Sequence, residues 1–296
     1  MKHKSVLLQE TIDGLNVTDN GIYLDGTLGS GGHTFAICEK AKDITVIGID
    51  ADKDAIKRSE EKLKDLDCKT ILEISPNHKL DEVLDKHSIS KINGAIFDYG
   101  LSSDQLEDSG RGFSFQKNEP LLMTMKENPS ESDLTAEEIV NQWALESITS
   151  ILEGYGEEKY AYRIAKAIIE AREEEKIKTT FQLVKIIEDA VPKFYLRKRI
   201  NPATKTFQAL RITVNNEIEH IKISLQKAFD RLAPEGRLVI ISFHSIEDRV
   251  VKHTFRKWSD EGIGALLTKK PITPGENEVI ENPRARSAKL RIIQKI

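Results

Sequence analysis

Along the first hundred residues, short apolar runs alternate with amphipathic stretches. Ile22–Asp25, Thr45–Asp50, Thr70–Ile74 and Ile92–Asp98 read as strands, with helices near Thr34–Lys40, from about Asp54 to Leu66, and near Leu80–Lys86. Val46-Ile47-Gly48-Ile49 and Ala95-Ile96-Phe97 are almost purely apolar, the pattern of parallel strands covered by helices on both faces. The expected fold is α/β, a Rossmann-like, doubly wound parallel sheet.

From about Gly110 the period changes. Glu137–Glu153, Glu158–Glu174 and Thr180–Ala190 read as helices, and no strand-like run returns until Arg237–Phe243. An inserted all-helical domain over 109–207 is expected, splitting a sheet domain formed by 1–108 and 208–296. Glu217–Leu232 is helical by spacing, Ala233-Pro234-Glu235-Gly236 reads as a turn, and Leu238–Phe243 as a buried strand. Residues 262–286 are rich in Gly and Pro and read as irregular, whereas Ala288–Ile293 alternates as an antiparallel edge strand would.

Composition narrows the class. At 296 residues, 39% of them hydrophobic and 31% charged, the chain reads as globular. No apolar stretch approaches the ~20 residues of a membrane span, and the run Val6-Leu7-Leu8 is too short for a signal-peptide core. A cytosolic protein with no membrane partner is expected. Cys38 and Cys68 have no CxxC spacing and no histidine cluster beside them, so reduced cysteines and no metal site are expected. A net charge of −4 argues against indiscriminate nucleic-acid binding but leaves room for a local basic surface.

Candidate chemistry gathers at strand ends. Asp25-Gly26-Thr27-Leu28-Gly29-Ser30-Gly31-Gly32-His33 follows a strand and opens a helix, where glycines let a backbone approach a ligand at the helix N-terminus. A tight strand–helix turn needs the same glycines. Asp50 ends the second strand, where a carboxylate accepts hydrogen bonds from both hydroxyls of an adenosine ribose. Asp25 ahead of the glycines suits a ligand with a cationic amino-acid tail and repels a pyrophosphate, which favours S-adenosylmethionine over a dinucleotide. Asp98 ends the fourth strand, either as a ligand contact or as a cap of the following loop.

An ordered set of segments then carries a resemblance over nearly the whole chain. It includes Gly29-Ser30-Gly31-Gly32-His33, Ser102-Ser103-Asp104-Gln105-Leu106, Arg111-Gly112-Phe113-Ser114-Phe115, Tyr155-Gly156-Glu157-Glu158, Pro202–Arg211, Ile241-Ser242-Phe243-His244-Ser245 and Asn282–Ser287. The sequence resembles the family of bacterial ribosomal RNA small subunit methyltransferase H, which methylates the exocyclic amine (N4) of a cytidine in 16S rRNA. The resemblance implies S-adenosylmethionine as cofactor, contacted by Gly31, Gly32, His33, Asp50, Asp98 and Gln105. It also implies the small ribosomal subunit as partner and the helical insertion as the family's inserted domain. The chain departs from the family at Asn77, where an aromatic residue is usual and His78 stands next to it, and at Leu122, Thr124 and Asn201.

Alkylating a cytosine amine, whose lone pair is delocalised into the ring, calls for hydrogen-bond acceptors near the amino hydrogens. Asp98 is the candidate catalytic residue, and a purely cofactor-binding role for it stands equal. For RNA, Lys193-Phe194-Tyr195-Leu196-Arg197-Lys198-Arg199 with Lys205 is the first candidate grip, set against a plain solvated surface. Arg284, Arg286, Lys289 and Arg291 are a second. The apolar positions of the inserted helices serve either an internal core or the face of a homodimer. Two alternatives to the methyltransferase stay open: a non-catalytic RNA-binding relative, and a nicotinamide-dependent oxidoreductase, which Asp25 and the missing GxGxxG spacing disfavour.

Overall fold

The computed structural model describes residues 4–100, 109–126, 129–130 and 132–296. The chain forms two compact units, Met1–Gly100 with Ile218–Ile296, and Leu101–Glu217. In the first, α1 (Leu8–Leu15) precedes β1 (Ile22–Asp25), α2 (Gly32–Lys40), β2 (Thr45–Asp50), α3 (Lys53–Leu63), β3 (Lys69–Ile74), α4 (Leu80–Lys86) and β4 (Ile92–Asp98). The second unit carries α5 (Ala136–Gln142), α6 (Leu145–Gly154), α7 (Ala161–Glu174), α8 (Thr180–Ala190), α9 (Lys193–Leu196) and α10 (Ala203–Asn215). After α11 (Glu217–Arg231) come β5 (Leu232–Ser242), α12 (Ser245–Asp260), β6 (Gly264–Leu266), α13 (Glu276–Glu281) and β7 (Lys289–Lys295).

The sheet has the order β3-β2-β1-β4-β5-β7-β6, parallel from β3 to β5 and antiparallel where β7 meets β5 and β6. Strand order reverses beside β1, the switch point at which open α/β sheets hold ligands outside the strands' carboxyl ends. Ile47, Phe97 and Ile240 face a core shared with Leu80, Phe229 and Trp258. Val46, Ile96 and Val239 face the other core, with Leu15 and Ile37. Each strand is therefore apolar on both sides, which is why the sequence shows runs instead of alternation.

The second unit buries its own core, in which Ile139, Leu152, Ile164, Leu183, Phe207 and Leu210 pack together. Arg111, Met123 and Asn215 are tied together within it. The Asn215 side chain donates to Met123 O and accepts from Met125 N, and Met123 N donates to Arg111 O. The boundary expected at 207/208 falls inside α10, whose Ala209 and Leu210 belong to this core, and the unit runs to Glu217. Among the described residues no helix is long and apolar enough to cross a membrane.

Several local expectations are corrected. β7 is not an edge strand, because β6 pairs along its outer side, Gly264 opposite Lys295. The stretch 262–286 is not irregular throughout, since it contains β6 and α13. The turn expected at Ala233–Gly236 is a bulge inside β5, where pairing jumps from Ile92↔Leu232 to Gly94↔Arg237 and Glu235 takes φ +64°. The single helix expected over Glu137–Glu153 breaks into α5 and α6 at Trp143-Ala144, both extended. Arg172 stabilises that break by donating to the carbonyls of Val140 and Trp143. Cys38 and Cys68 are not reduced but paired in a disulfide, Cα–Cα 5.5 Å. A sequence separation of 30 hides that proximity from spacing rules.

A side chain of the β1–α2 loop ties it to β4, Thr27 Oγ1 accepting from Asp98 N (2.6 Å). Thr27→Val keeps the shape and removes the acceptor, leaving a backbone N–H unsatisfied at a cost of about 1–3 kcal/mol. Thr27→Ser is expected to keep nearly all of the stability. Urea unfolding of the two variants checks this, and equal losses would remove the tie from the account.

Candidate active site

The carboxyl ends of β1, β2 and β4 bring Asp25, Asp50 and Asp98 to one rim. Pairing sets Asp25 opposite Gly48 and Ile96, and Asp98 opposite Ile241. Between them the β1–α2 loop is held by Gly26 N donating to Ile96 O and Leu28 N to Ile49 O.

Asp50 organises the glycine loop. Its Oδ2 accepts from Gly29 N (2.8 Å) and its Oδ1 from Asp52 N (2.9 Å), so each oxygen keeps a further lone pair for a ligand. Gly31 caps α2 at φ +68°, a left-handed conformation that costs a side-chain-bearing residue energy, and a Cβ there would meet Ser59 Oγ at 2.9 Å. Gly32 opens α2 with Ser5 against it. His33, also in the first turn, is buried, and its Nε2 meets Val6 O at 3.1 Å. The fold thus gives Gly31, Gly32 and His33 internal contacts while placing them where a helix leaves its first N–H groups open.

Asp98 differs. It is half-buried, yet its Oδ1 is sealed from solvent and has no hydrogen-bond partner among the described residues. Burial pushes its carboxyl up to about 6, against the pull of the His33 imidazole and with the push of Asp25 and Glu247. Asp25 is 1% exposed and already satisfied, accepting from Thr34 Oγ1 (2.7 Å) and Thr27 N (3.2 Å). Burial raises it to about 6 as well, and Asp50 is raised for the same reason. Such an acceptor set favours a cation: a positively charged group arriving here gains three ionised carboxylates that otherwise resist ionisation together.

On the β5 side, a cleft of about 300 Å³ is lined by Phe243, His244, Ser245, Arg286 and Lys289 among others. Its floor is held by Glu247, whose Oε2 accepts from Phe243 N (2.8 Å) and His244 N (3.2 Å), while His244 Nδ1 accepts from Glu247 N. Sequence reasoning missed Glu247, although a glutamate three residues into a helix is the capping-box signal.

The remaining candidates are scattered. Gln105 lies outside the described residues. Asn77 and His78 open the turn after β3, next to Asp50, whose O accepts from Ser75 N. The His78 ring stacks on His220 of α11 at 3.9 Å. Asn201 Oδ1 accepts from Ala203 N at the start of α10, and Thr124 Oγ1 accepts from Lys126 N, which gives two of the departures local structural uses. Arg291 and Lys289 are held by Asp248, leaving Arg286 as the exposed cation on the cleft. Lys205 Nζ donates to Glu157 O, inside the helical unit.

Comparison with known proteins adds to this geometry. Residues 1–296 match the MraW methylase family. Ribosomal RNA small subunit methyltransferase H of Halothermothrix orenii is 44% identical over 313 residues, covering 100% of this chain and 99% of that protein. The protein of the same name from Sulfurihydrogenibium azorense is 42% identical over 296 residues with 100% of both chains covered, and that of Acetivibrio thermocellus is 44% identical over 313 residues, covering 100% and 99%.

The two carboxyls near 6 set a pH dependence. Each binds its proton more tightly folded than unfolded, where an aspartate titrates near ~3.9, so stability falls as pH rises through the native value. Between pH 5 and 7.5 the expected loss is about 1.4 kcal/mol per carboxyl. Asp98→Asn is expected to flatten the slope by roughly half. Urea melts across that range test the sign, and a wild type that gains stability towards pH 7.5 with a slope Asp98→Asn leaves unchanged would contradict it.

Proposed function

Because this chain belongs to the MraW methylase family, we propose that it transfers a methyl group from S-adenosylmethionine to the exocyclic amine (N4) of a cytidine in the 16S rRNA of the small ribosomal subunit. The observation that carries this reading is Asp98 Oδ1, a buried acceptor without a partner among the described residues, at the strand end next to the glycine-led helix. The relatives' shared name, a small-subunit ribosomal RNA methyltransferase, supplies the substrate class. That substrate also supports a cytosolic setting.

The residues fit the cofactor. Bound S-adenosylmethionine supplies an electrophilic methyl on a sulfonium whose departure leaves a neutral thioether. Asp50 would accept the ribose hydroxyls through the lone pairs that Gly29 and Asp52 leave open. Gly31, Gly32 and His33 would line the cofactor from the first turn of α2, with Gln105 as the further contact that the family resemblance implies. Asp25, sealed behind them, adds negative potential for a cationic ligand.

Catalysis would then be mainly alignment. Asp98 Oδ1 would accept an N–H of the target amine, localise its lone pair and stabilise the positive charge that develops there until the methylated amine sheds one proton to solvent. An extruded cytosine reaches this rim from the β5 side, where the cleft presents Phe243 to a base and Arg286 to a phosphate. We assign RNA recognition to the helical unit.

The test combines calorimetric titration with S-adenosylmethionine and transfer of labelled methyl to small subunits, followed by nucleoside mass spectrometry. Wild type is expected to bind and to yield N4-methylcytidine. Asp50→Asn is expected to weaken cofactor binding roughly 10- to 100-fold, as loss of hydrogen bonds to a charged group does. Asp98→Asn is expected to lower kcat more than it raises KM. Failure of wild type to bind the cofactor while still binding RNA would favour a non-catalytic relative, and methyl on another base or atom would overturn the N4 assignment.

A further inference from the structure

The helical unit carries an aromatic surface ringed by cations. Its anchor is Glu158, 3% exposed, whose carboxylate accepts from Tyr195 Oη (3.0 and 3.1 Å) and from Tyr160 N (2.9 Å). This buried acceptor fixes the Tyr160 and Tyr195 rings edge to face, centroids 4.9 Å apart at 79°. Three cations stand over that pair: Lys198 Nζ is 4.7 Å from the Tyr195 ring, and the Arg163 guanidinium and Lys159 Nζ are 5.9 and 6.0 Å from that of Tyr160. Beside Tyr195 on α9, Phe194 is 61% exposed.

Two features set this surface apart from an ordinary solvated one. No acidic residue occurs between Lys193 and Asn216, and Arg163, Arg197 and Lys198 have no carboxylate partner among the described residues. Other cations of the same unit pair locally, as Lys166 does with Glu170 and Lys185 with Asp189. An exposed phenylalanine among unpaired cations matches a ligand that offers aromatic faces and negative charge together.

We propose that the surface formed by Tyr160, Arg163, Phe194, Arg197 and Lys198 binds single-stranded RNA, with an unstacked base on Phe194 and phosphates on Arg163, Arg197 and Lys198. This inference rests on the RNA substrate of the proposed function and assigns to that substrate a second contact region, carried by the helical unit. A duplex keeps its bases stacked inside and has no free face to give Phe194, so the chemistry selects an unpaired strand.

The test is fluorescence anisotropy of a labelled single-stranded RNA dodecamer with the full chain, at several salt concentrations. Phe194→Ala is expected to weaken binding roughly tenfold, the size of one lost base–aromatic stack, with the salt slope unchanged. The double variant Arg163→Gln/Arg197→Gln is expected to flatten the plot of log K against log salt by about 0.7 for each lost phosphate contact. The substituted side chains are all exposed, and unchanged calorimetric binding of S-adenosylmethionine by the variants checks the fold. Wild-type affinity in both variants, or an unlabelled duplex of equal length competing as well as the single strand, would overturn the proposal. Methylation of small subunits by the same variants separates the two readings. Normal RNA binding and normal methylation sink this inference alone, whereas RNA binding that depends on these residues in a chain that methylates nothing sinks the methyltransferase reading and leaves this one standing.

Discussion

A parallel sheet has to be covered on both faces, because its strands carry apolar side chains above and below and neither face tolerates water. Here Leu15 and Ile37 lie on one side and Phe229 and Trp258 on the other. With both faces closed, polar chemistry is confined to the rim. The carboxyl rim is where the β1–α2 loop turns under constraint, and it is the place where Asp25, Asp50 and Asp98 meet. The location of the site is thus a consequence of how the core is sealed, not a separate feature added to it.

That confinement has an energetic side. Three carboxyls share a poorly solvated rim, and burial makes each harder to ionise. Asp25 and Asp50 are compensated by hydrogen bonds from Thr34, Thr27, Gly29 and Asp52. Asp98 Oδ1 is not. A polar oxygen held dry without a donor is expensive in a free protein and suits a site whose donor arrives with the ligand, since the desolvation has been met before binding.

Much of this is legible in the amino-acid sequence alone. Apolar runs such as Val46–Ile49 locate the parallel strands, and Asp50 and Asp98 stand out at their ends because a strand's last residue is visible where the apolar run stops. Other features depend on which residues lie next to one another in space. Whether Ala288–Ile293 is an edge strand is decided by β6, three residues long and too short to show a period. The break at Trp143-Ala144 relies on Arg172, about thirty residues away, and the Cys38–Cys68 pair on how α2 packs near the start of β3. Asp25 reads as an open ligand group in the sequence, but Thr34, near the start of α2, closes over it.

The clamp around Asn215 bears on how such a chain can fold at all. β4 pairs with β5 although Asp98 and its partner Ile241 are separated by the whole insertion, and closing so long a flexible loop is slow because the entropy of ordering it is lost before the contact forms. Asn215 holds Met123 and Met125, and Met123 holds Arg111, so the insertion's first and last segments are fastened together within its own unit. Fastening Arg111, Met123 and Asn215 together shortens the flexible excursion whose closure entropy the pairing of β4 with β5 has to meet.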